Sequence, residues 1–432
     1  MSSGLKSALV WSAAQTAIRL VLGFLSIKVT AVFLGAAGIA LVGQAGNFIS
    51  LLQGLLVNAI QTAVVKMTAE RKDEHQEQSR QLWGTAIRLS TFLGVIVGVL
   101  VMLAHRPLSV WLFGREDLWP VVGLIGVILP IAMLYQVLNG VLTGLSQFRL
   151  IAFTNIGTAV LGAVVFIGLS YRFGLLGGLV GSTLSAGIGL IVVLAVARLS
   201  RAFQFTNLLP RWQSDLIPSI FAFYPMLLVH AATAPLTQLL VRDALIGSVG
   251  VNQAGLWQAG LRLSDMYTQV LLTALSMYSL PTLSGIKEPT RFRRELFGMV
   301  VKMGAITASL ALAIFVCRDL ILQVVFTTEF LPVRELMGFQ LVGDVLNMAA
   351  WPMRSALMAQ GRRKTYMSVE ASAGIAQVGL THLLLPALGL QAATTAHAGT
   401  WGMVLVVLLL LHRKGRQLSP GTDSAVDKQD ST

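Results

Sequence analysis

The side chains best suited to chemistry in this sequence are a few charges set inside long apolar runs. Arg19, Lys28, Arg88, Arg262, Lys302 and Arg354 are the cations of this set. Asp265 and Asp344 are its deep acids, and Glu370 lies near the start of another apolar run. A charge surrounded by hydrocarbon is costly, so it needs a partner, a wet cavity or a route to the interface. The excess of cations over acids favours an anionic substrate or lipid headgroup. Arg19 sits near the middle of its run and is expected to face a wet cavity. Arg88, Lys302 and Arg354 lie one to two turns from the end of theirs; each either snorkels to the interface or faces the cavity. Lys28 is similarly close to the opposite end of its run. Arg262 and Asp265 stand at i,i+3 and can pair. Asp344 has no cation at i±3 or i±4, so it is either protonated or meets a cation from another helix. A coupling carboxylate and a structural one both fit that pattern.

Polar stripes accompany these charges. Gln44, Asn47, Asn58 and Gln61 share one helical face with Leu51 and Gly54, and Ser12, Gln15, Arg19 and Ser26 share another. Such stripes glue helices together or line a cavity, and Arg19 favours the cavity. Pro218, Pro225 and Pro235 lie in one later run, where proline removes backbone hydrogen bonds and permits a bend. His230 in that run fits packing better than ligation. There is no P-loop to drive transport with ATP and no paired acidic motif of a glycosyltransferase. No Cys/His cluster has metal spacing. The single cysteine, Cys317, excludes an intrachain disulfide. We expect no cofactor, no metal and no enzymatic activity.

The elements that position these residues are set by composition. Of 432 residues, 55% are hydrophobic and 12% charged. Mean hydropathy is +0.74. A soluble domain is roughly a quarter charged, so the bilayer must solvate most of this surface. A spanning helix needs about 20 apolar residues, and twelve segments qualify: 8–34, 38–66, 82–104, 119–144, 150–170, 174–197, 216–240, 253–282, 296–316, 333–359, 367–387 and 391–411. Tight reversals are expected at Gly35-Ala-Ala-Gly38 and near Gly174. The net charge of +13 and a pI near 10.4 would suggest nucleic acid in a soluble protein. Here topology explains them. One set of loops and termini carries 20 of the 32 Lys and Arg, the alternate loops, Arg242 among them, carry 6, and the rest lie within spans. That bias puts both termini in the cytoplasm. The expected organisation is an all-α membrane protein of two six-helix lobes around a central cavity. The N-lobe covers 1–200, a cytoplasmic linker 201–215, the C-lobe 216–416 and a disordered tail 417–432.

The halves repeat. Gln44-Ala45-Gly46 recurs as Gln258-Ala259-Gly260, Arg88 as Lys302, and Arg149 as Lys364. Gly174, Gly177, Gly178 and Gly181 recur as Gly389, Ala392, Ala393 and Ala396. The offset between partners is constant to within a single position throughout. Both halves start on the same side, so the repeat is parallel, with any substrate site expected between the lobes.

Dispersed segments resemble a known family. Gly255-Leu-Trp-Gln258, Ser279-Leu-Pro-Thr-Leu-Ser284, Arg318-Asp319 and Gln340-Leu-Val-Gly-Asp-Val-Leu346 carry the likeness. Together with two six-helix halves and a cationic interior, they resemble the multidrug/oligosaccharidyl-lipid/polysaccharide exporter superfamily. Within it, they are similar to the Wzx-type translocases of lipid III of enterobacterial common antigen and of O-antigen. The resemblance runs over nearly the whole chain, strongest in the second half, and departs from the family in the hydrophilic tail. It implies a monomeric flippase of the bacterial inner membrane that acts by alternating access without ATP. Its substrate would be an undecaprenyl-pyrophosphate-linked oligosaccharide, with other polysaccharide-assembly membrane proteins as further partners. The expected substrate-binding residues are Arg19, Lys28, Arg262, Gln44, Asn47, Arg88 and Lys302. Asp265 and Asp344 are the expected coupling residues. A pyrophosphate is a concentrated anion that arginine suits. Two alternatives are a cation-coupled multidrug exporter, whose substrates favour acidic cavities, and a membrane enzyme of polysaccharide assembly.

Overall fold

The computed structural model describes residues 3–70, 76–198, 213, 215–221, 224–284, 288–360 and 362–414. The tail expected at 417–432 and most of the linker expected at 201–215 lie outside the described residues, as does the side chain of His230. Among the described residues, every regular element is helical. The α-helices are α1 (Ser3–Leu56), α2 (Asn58–Glu70), α3 (Gln76–Leu103), α4 (His105–Phe113), α5 (Trp119–Gly144), α6 (Phe148–Ala197) and α7 (Leu216–Phe221). The rest are α8 (Tyr224–Val249), α9 (Val251–Ser284), α10 (Pro289–Val316), α11 (Arg318–Val325), α12 (Val333–Ala359), α13 (Arg363–Leu388) and α14 (Gln391–Lys414).

Seven helices are long and apolar enough to cross a membrane. Two of these, α1 and α6, each hold two arms folded back at a glycine. Gly35 has φ 65° and Gly174 has φ 57°, a left-handed region that a Cβ makes costly. The long helices α8, α9 and α12 carry more polar residues and complete a set of twelve spans among the described residues. Large apolar side chains remain exposed along the outer faces, with Leu103, Val316, Ile375 and Leu383 about three-quarters accessible. In water such a surface would be a liability; in lipid it is the solvated face.

The repeat extends to the backbone. Gly35 and Gly174 correspond to Gly250 (φ 88°) and Gly389 (φ 52°), at the same offset as the sequence matches. α3 and α4 correspond to α10 and α11, their starts displaced equally along the chain. Sequence periodicity did not predict the short helices α4 and α11, because each is only two to three turns long. Each is followed by a 3-10 turn, Glu116–Leu118 and Thr328–Phe330.

The chain divides into two compact units, Met1–Asp243 with Val325–Glu329, and Ala244–Val324 with Phe330–Thr432. The first unit has a core of Val57, Ile60, Val64, Leu82, Met133 and Val137 with neighbours from α2, α3, α5 and α6. Small residues let its helices touch. A Cβ at Gly98 would collide with the carbonyl of Gly126, and one at Gly126 would lie 2.6 Å from the carbonyl of Gly98. Lipid tails are as apolar as leucine, so such close approach, rather than hydrophobic transfer, holds helices together in a bilayer.

Candidate functional site

In the first unit, Arg19 is exposed on the first arm of α1. No acidic side chain lies within ion-pair distance of it among the described residues. Its charge reaches the phenol of Tyr135 on α5. Around them runs a network of neutral amides. Asn155 of α6 donates through Nδ2 to Gln15 Oε1 at 3.1 Å. Its Oδ1 accepts from the Tyr135 hydroxyl at 3.2 Å and from Asn139 Nδ2 at 3.4 Å. Three helices supply these groups, and all four side chains are half-buried. Gly189 seats the phenol: a Cβ there would lie 2.8 Å from the Tyr135 ring.

Nearer Gly35, the polar residues pair differently. Lys28 donates to the Phe326 carbonyl at 2.6 Å. Asn47 donates to Gln238 Oε1 at 2.9 Å. Arg242 donates through Nη1 to Gln44 Oε1 at 2.6 Å. Sequence reading put Arg242 in a loop, but the structure buries it completely inside α8. The charge count misled because α8 continues well past the expected end of its span, to Val249. Gln44 and Asn47 therefore join α1 to α8 as interhelical glue. Arg19 and Lys28, both on α1, are separated by about 13 Å along the axis and cannot share one phosphate.

Arg88 and Lys302 lie elsewhere. Both are exposed. Arg88 shares its face of α3 with exposed Phe92, Val95, Ile96 and Val99, and Lys302 shares α10 with exposed Val301 and Ile306. A long cation on such a stripe can reach the interface along its own alkyl stem.

In the second unit, Asp344 is 4% exposed. Its Oδ2 accepts from the Tyr267 hydroxyl at 2.6 Å. Its Oδ1 accepts from Gln340 Nε2 at 3.2 Å and lies 3.0 Å from His397 Nε2. The partner it lacks on its own helix thus comes from α14. Gly343 makes this possible, because a Cβ there would collide with the His397 ring. The spine continues: His397 packs edge-on against Trp401, whose ring carries the Arg354 guanidinium 4.5 Å above it. Arg354 donates to Glu370 at 2.9 Å and to Asn347 at 2.6 Å. Arg354 is 9% exposed, so it is held by partners inside the unit and does not snorkel.

Arg262 is half-buried and Asp265 exposed on α9. No contact ion pair joins them among the described residues, although Asp265 feels the charges of Arg262, Asp344 and His397. His397, Tyr267, Tyr135, Asn139 and Asn155 escaped sequence reasoning, whereas Gln15 stood on an expected polar stripe. The available signals were Gln340 one turn before Asp344, the glycine next to it, and a lone histidine in an apolar run. Among the described residues no group of three or more His, Cys, Asp or Glu could hold a metal.

Comparisons with known proteins agree with this architecture. Residues 29–335 match the family described as polysaccharide biosynthesis protein. Lipid III flippases of Escherichia coli (strain K12) and Shigella flexneri are each 27% identical over 401 residues, covering 92% of this chain and 95% of theirs. Among solved structures, the fold is similar to the inward-facing conformation of a multidrug resistance MATE family transporter of the MOP superfamily. That likeness has a TM-score of 0.76 at 14% identity and covers 96% of this chain and all of the other. Lipid II flippase MurJ in an inward closed conformation matches with a TM-score of 0.72 at 11% identity, covering 94% of this chain and 87% of MurJ.

Proposed function

Because this chain belongs to the polysaccharide biosynthesis protein family, we propose that it flips a polyprenyl-pyrophosphate-linked oligosaccharide across the bacterial inner membrane. It is a multi-pass membrane transporter rather than an enzyme, and the lipid III flippases similar to it support this reading. The observation that carries it is Arg19: a cation within a membrane span, exposed, without an acidic partner among the described residues and flanked by neutral hydrogen-bonding groups. A cation bound to a buried carboxylate would already be neutralised. One left uncompensated attracts an anion, and pyrophosphate offers it charge-assisted hydrogen bonds.

In this reading, Arg19 takes the pyrophosphate, and Arg262 is a separate candidate contact for the headgroup. Lys28 adds positive potential, with Gln44 and Asn47 holding the surrounding helices. The exposed Arg88 and Lys302 act at the interface with lipid headgroups. The oligosaccharide passes through a polar interior while the polyprenyl tail stays in lipid. The two lobes alternate access, with both termini in the cytoplasm and the protein acting as a monomer. Arg19, uncompensated among the described residues, disfavours the multidrug alternative, whose cationic substrates it would repel.

Asp344 is the coupling carboxylate of this reading, with Asp265 on α9 as the second coupling acid. Tyr267 and Gln340 donate to Asp344, and His397 Nε2 lies within hydrogen-bond distance of it. Such a shell stabilises a carboxylate or holds a transferable proton.

The experiment is translocation of labelled lipid-linked oligosaccharide in proteoliposomes. Arg19→Ala and Arg262→Ala should each slow it while the protein remains folded in detergent. Unchanged rates for both variants would exclude the pyrophosphate assignment. Asp344→Asn should remove dependence on an imposed pH gradient, and a retained response would make Asp344 structural.

A further inference from the structure

The amide network around Asn155 has more hydrogen-bonding capacity than packing three helices requires. Gln15, Tyr135, Asn139 and Asn155 present amide and hydroxyl groups, all half-buried and none ionised. Asn139 Oδ1 is buried without a donor among the described residues. The corresponding place in the second half is closed: at the offset of the internal repeat, Asn139 and Asn155 become Arg354 and Glu370, a buried ion pair. The fold therefore tolerates a sealed pair at this position, yet the first half keeps neutral, partly accessible amides there.

Position adds the chemistry. Gln15 precedes Arg19 by one helical turn, about 5.4 Å along the axis. That rise matches the step from a phosphate to the sugar ring attached to it. Amides both donate and accept, which suits hydroxyl groups, and the Tyr135 ring, held against Gly189, adds a flat apolar surface. No acidic side chain is part of the network.

We infer that Gln15, Tyr135, Asn139 and Asn155 form a subsite for the neutral sugar ring directly attached to the pyrophosphate held by Arg19. This rests on the transport reading above and deepens it. Arg19 reads the anion common to all such lipids, and the amides read the first sugar. Discrimination is then built into the first half, because each sugar hydroxyl must replace a hydrogen bond to water.

The test is binding to the full-length protein in nanodiscs. The two probes are a polyprenyl pyrophosphate bare, and the same lipid carrying one neutral sugar. The wild type should bind the sugar-bearing lipid more tightly, by about tenfold for one to two hydrogen bonds. Asn155→Ala and Gln15→Ala should each reduce or erase that difference while leaving the bare lipid bound as before. Arg19→Ala should weaken both lipids together. Equal losses for both lipids in both amide variants would overturn the subsite, as would a wild type that binds the two lipids equally. In either case the transport reading would stand. A wild type that binds neither lipid would bring down that reading and the subsite with it.

Discussion

Asn139 and Asn155 in the first half and Arg354 and Glu370 in the second occupy one position in two copies of the same helical arrangement. The first pair is neutral, half-buried and linked outward through Gln15 and Tyr135 toward Arg19. The second is charged, with side chains 10% exposed, and is enclosed by Asn347 and Trp401. The backbone does not dictate this difference, since glycines with positive φ recur at matching places in both halves. A duplicated scaffold has been given two polar interiors. One keeps a cation available; the other neutralises its cation internally and joins it to Asp344 through Trp401 and His397.

The sharpest way to break this comparison is to unbalance the sealed pair. Glu370→Ala leaves the Arg354 guanidinium buried without its carboxylate, which should cost about 3–5 kcal/mol. Thermal unfolding in detergent would report it. Importing the first half's solution, with Arg354→Asn and Glu370→Asn together, should recover much of that loss. Failure of the double variant to recover would mean that the two sites are not interchangeable. The next effect is functional. Arg19→Ala should slow translocation by about 10- to 100-fold, as expected for one lost charge-assisted interaction. Lys302→Ala, on its exposed apolar stripe, should change it little. Similar losses in both would erase the distinction between cavity and interface.

Helix packing offers a third test. Gly177 and Gly181 correspond to alanines in the second half. A Cβ at Gly177 would collide with the Leu169 carbonyl, and one at Gly181 would lie 2.9 Å from Phe166 Cα. Gly181→Ala should therefore destabilise by about 1–3 kcal/mol. The reverse change, Ala396→Gly, should cost only about 1 kcal/mol through lost helix propensity. Equal effects would indicate that the two helix crossings are equally tight. Equally small is the expected effect of Asn155→Ala on stability, about 1 kcal/mol for its neutral hydrogen bonds. A cost as large as that of Glu370→Ala would make the amide network a structural clamp.

Much of the architecture could be read directly from the chain. The runs expected at 119–144 and 333–359 are α5 and α12 to the residue, and the reversals at Gly35 and Gly174 occur where tight glycine turns were expected. The short helices α4 and α11 were missed, and so was the extension of α8 past Arg242. A charge in an apolar stretch looks like a span end until its partner is known. For Arg242 that partner is Gln44, 198 positions away. The same blindness made Arg354 a candidate for snorkelling and left the interhelical partner of Asp344 unidentified.

The sequence by itself determined the solvent of this protein, the number of its spans and its internal duplication. These follow from hydropathy, glycine placement and periodicity, which act over a few turns of helix. Which charges are compensated and which stay available was decided only by the tertiary structure. Compensation depends on contacts between distant segments, and those depend on how closely helices approach. Gly343 lets His397 reach Asp344, and Gly189 seats Tyr135 within reach of the Arg19 charge. A missing Cβ in one helix fixes the electrostatics of another, and hydropathy carries no trace of that.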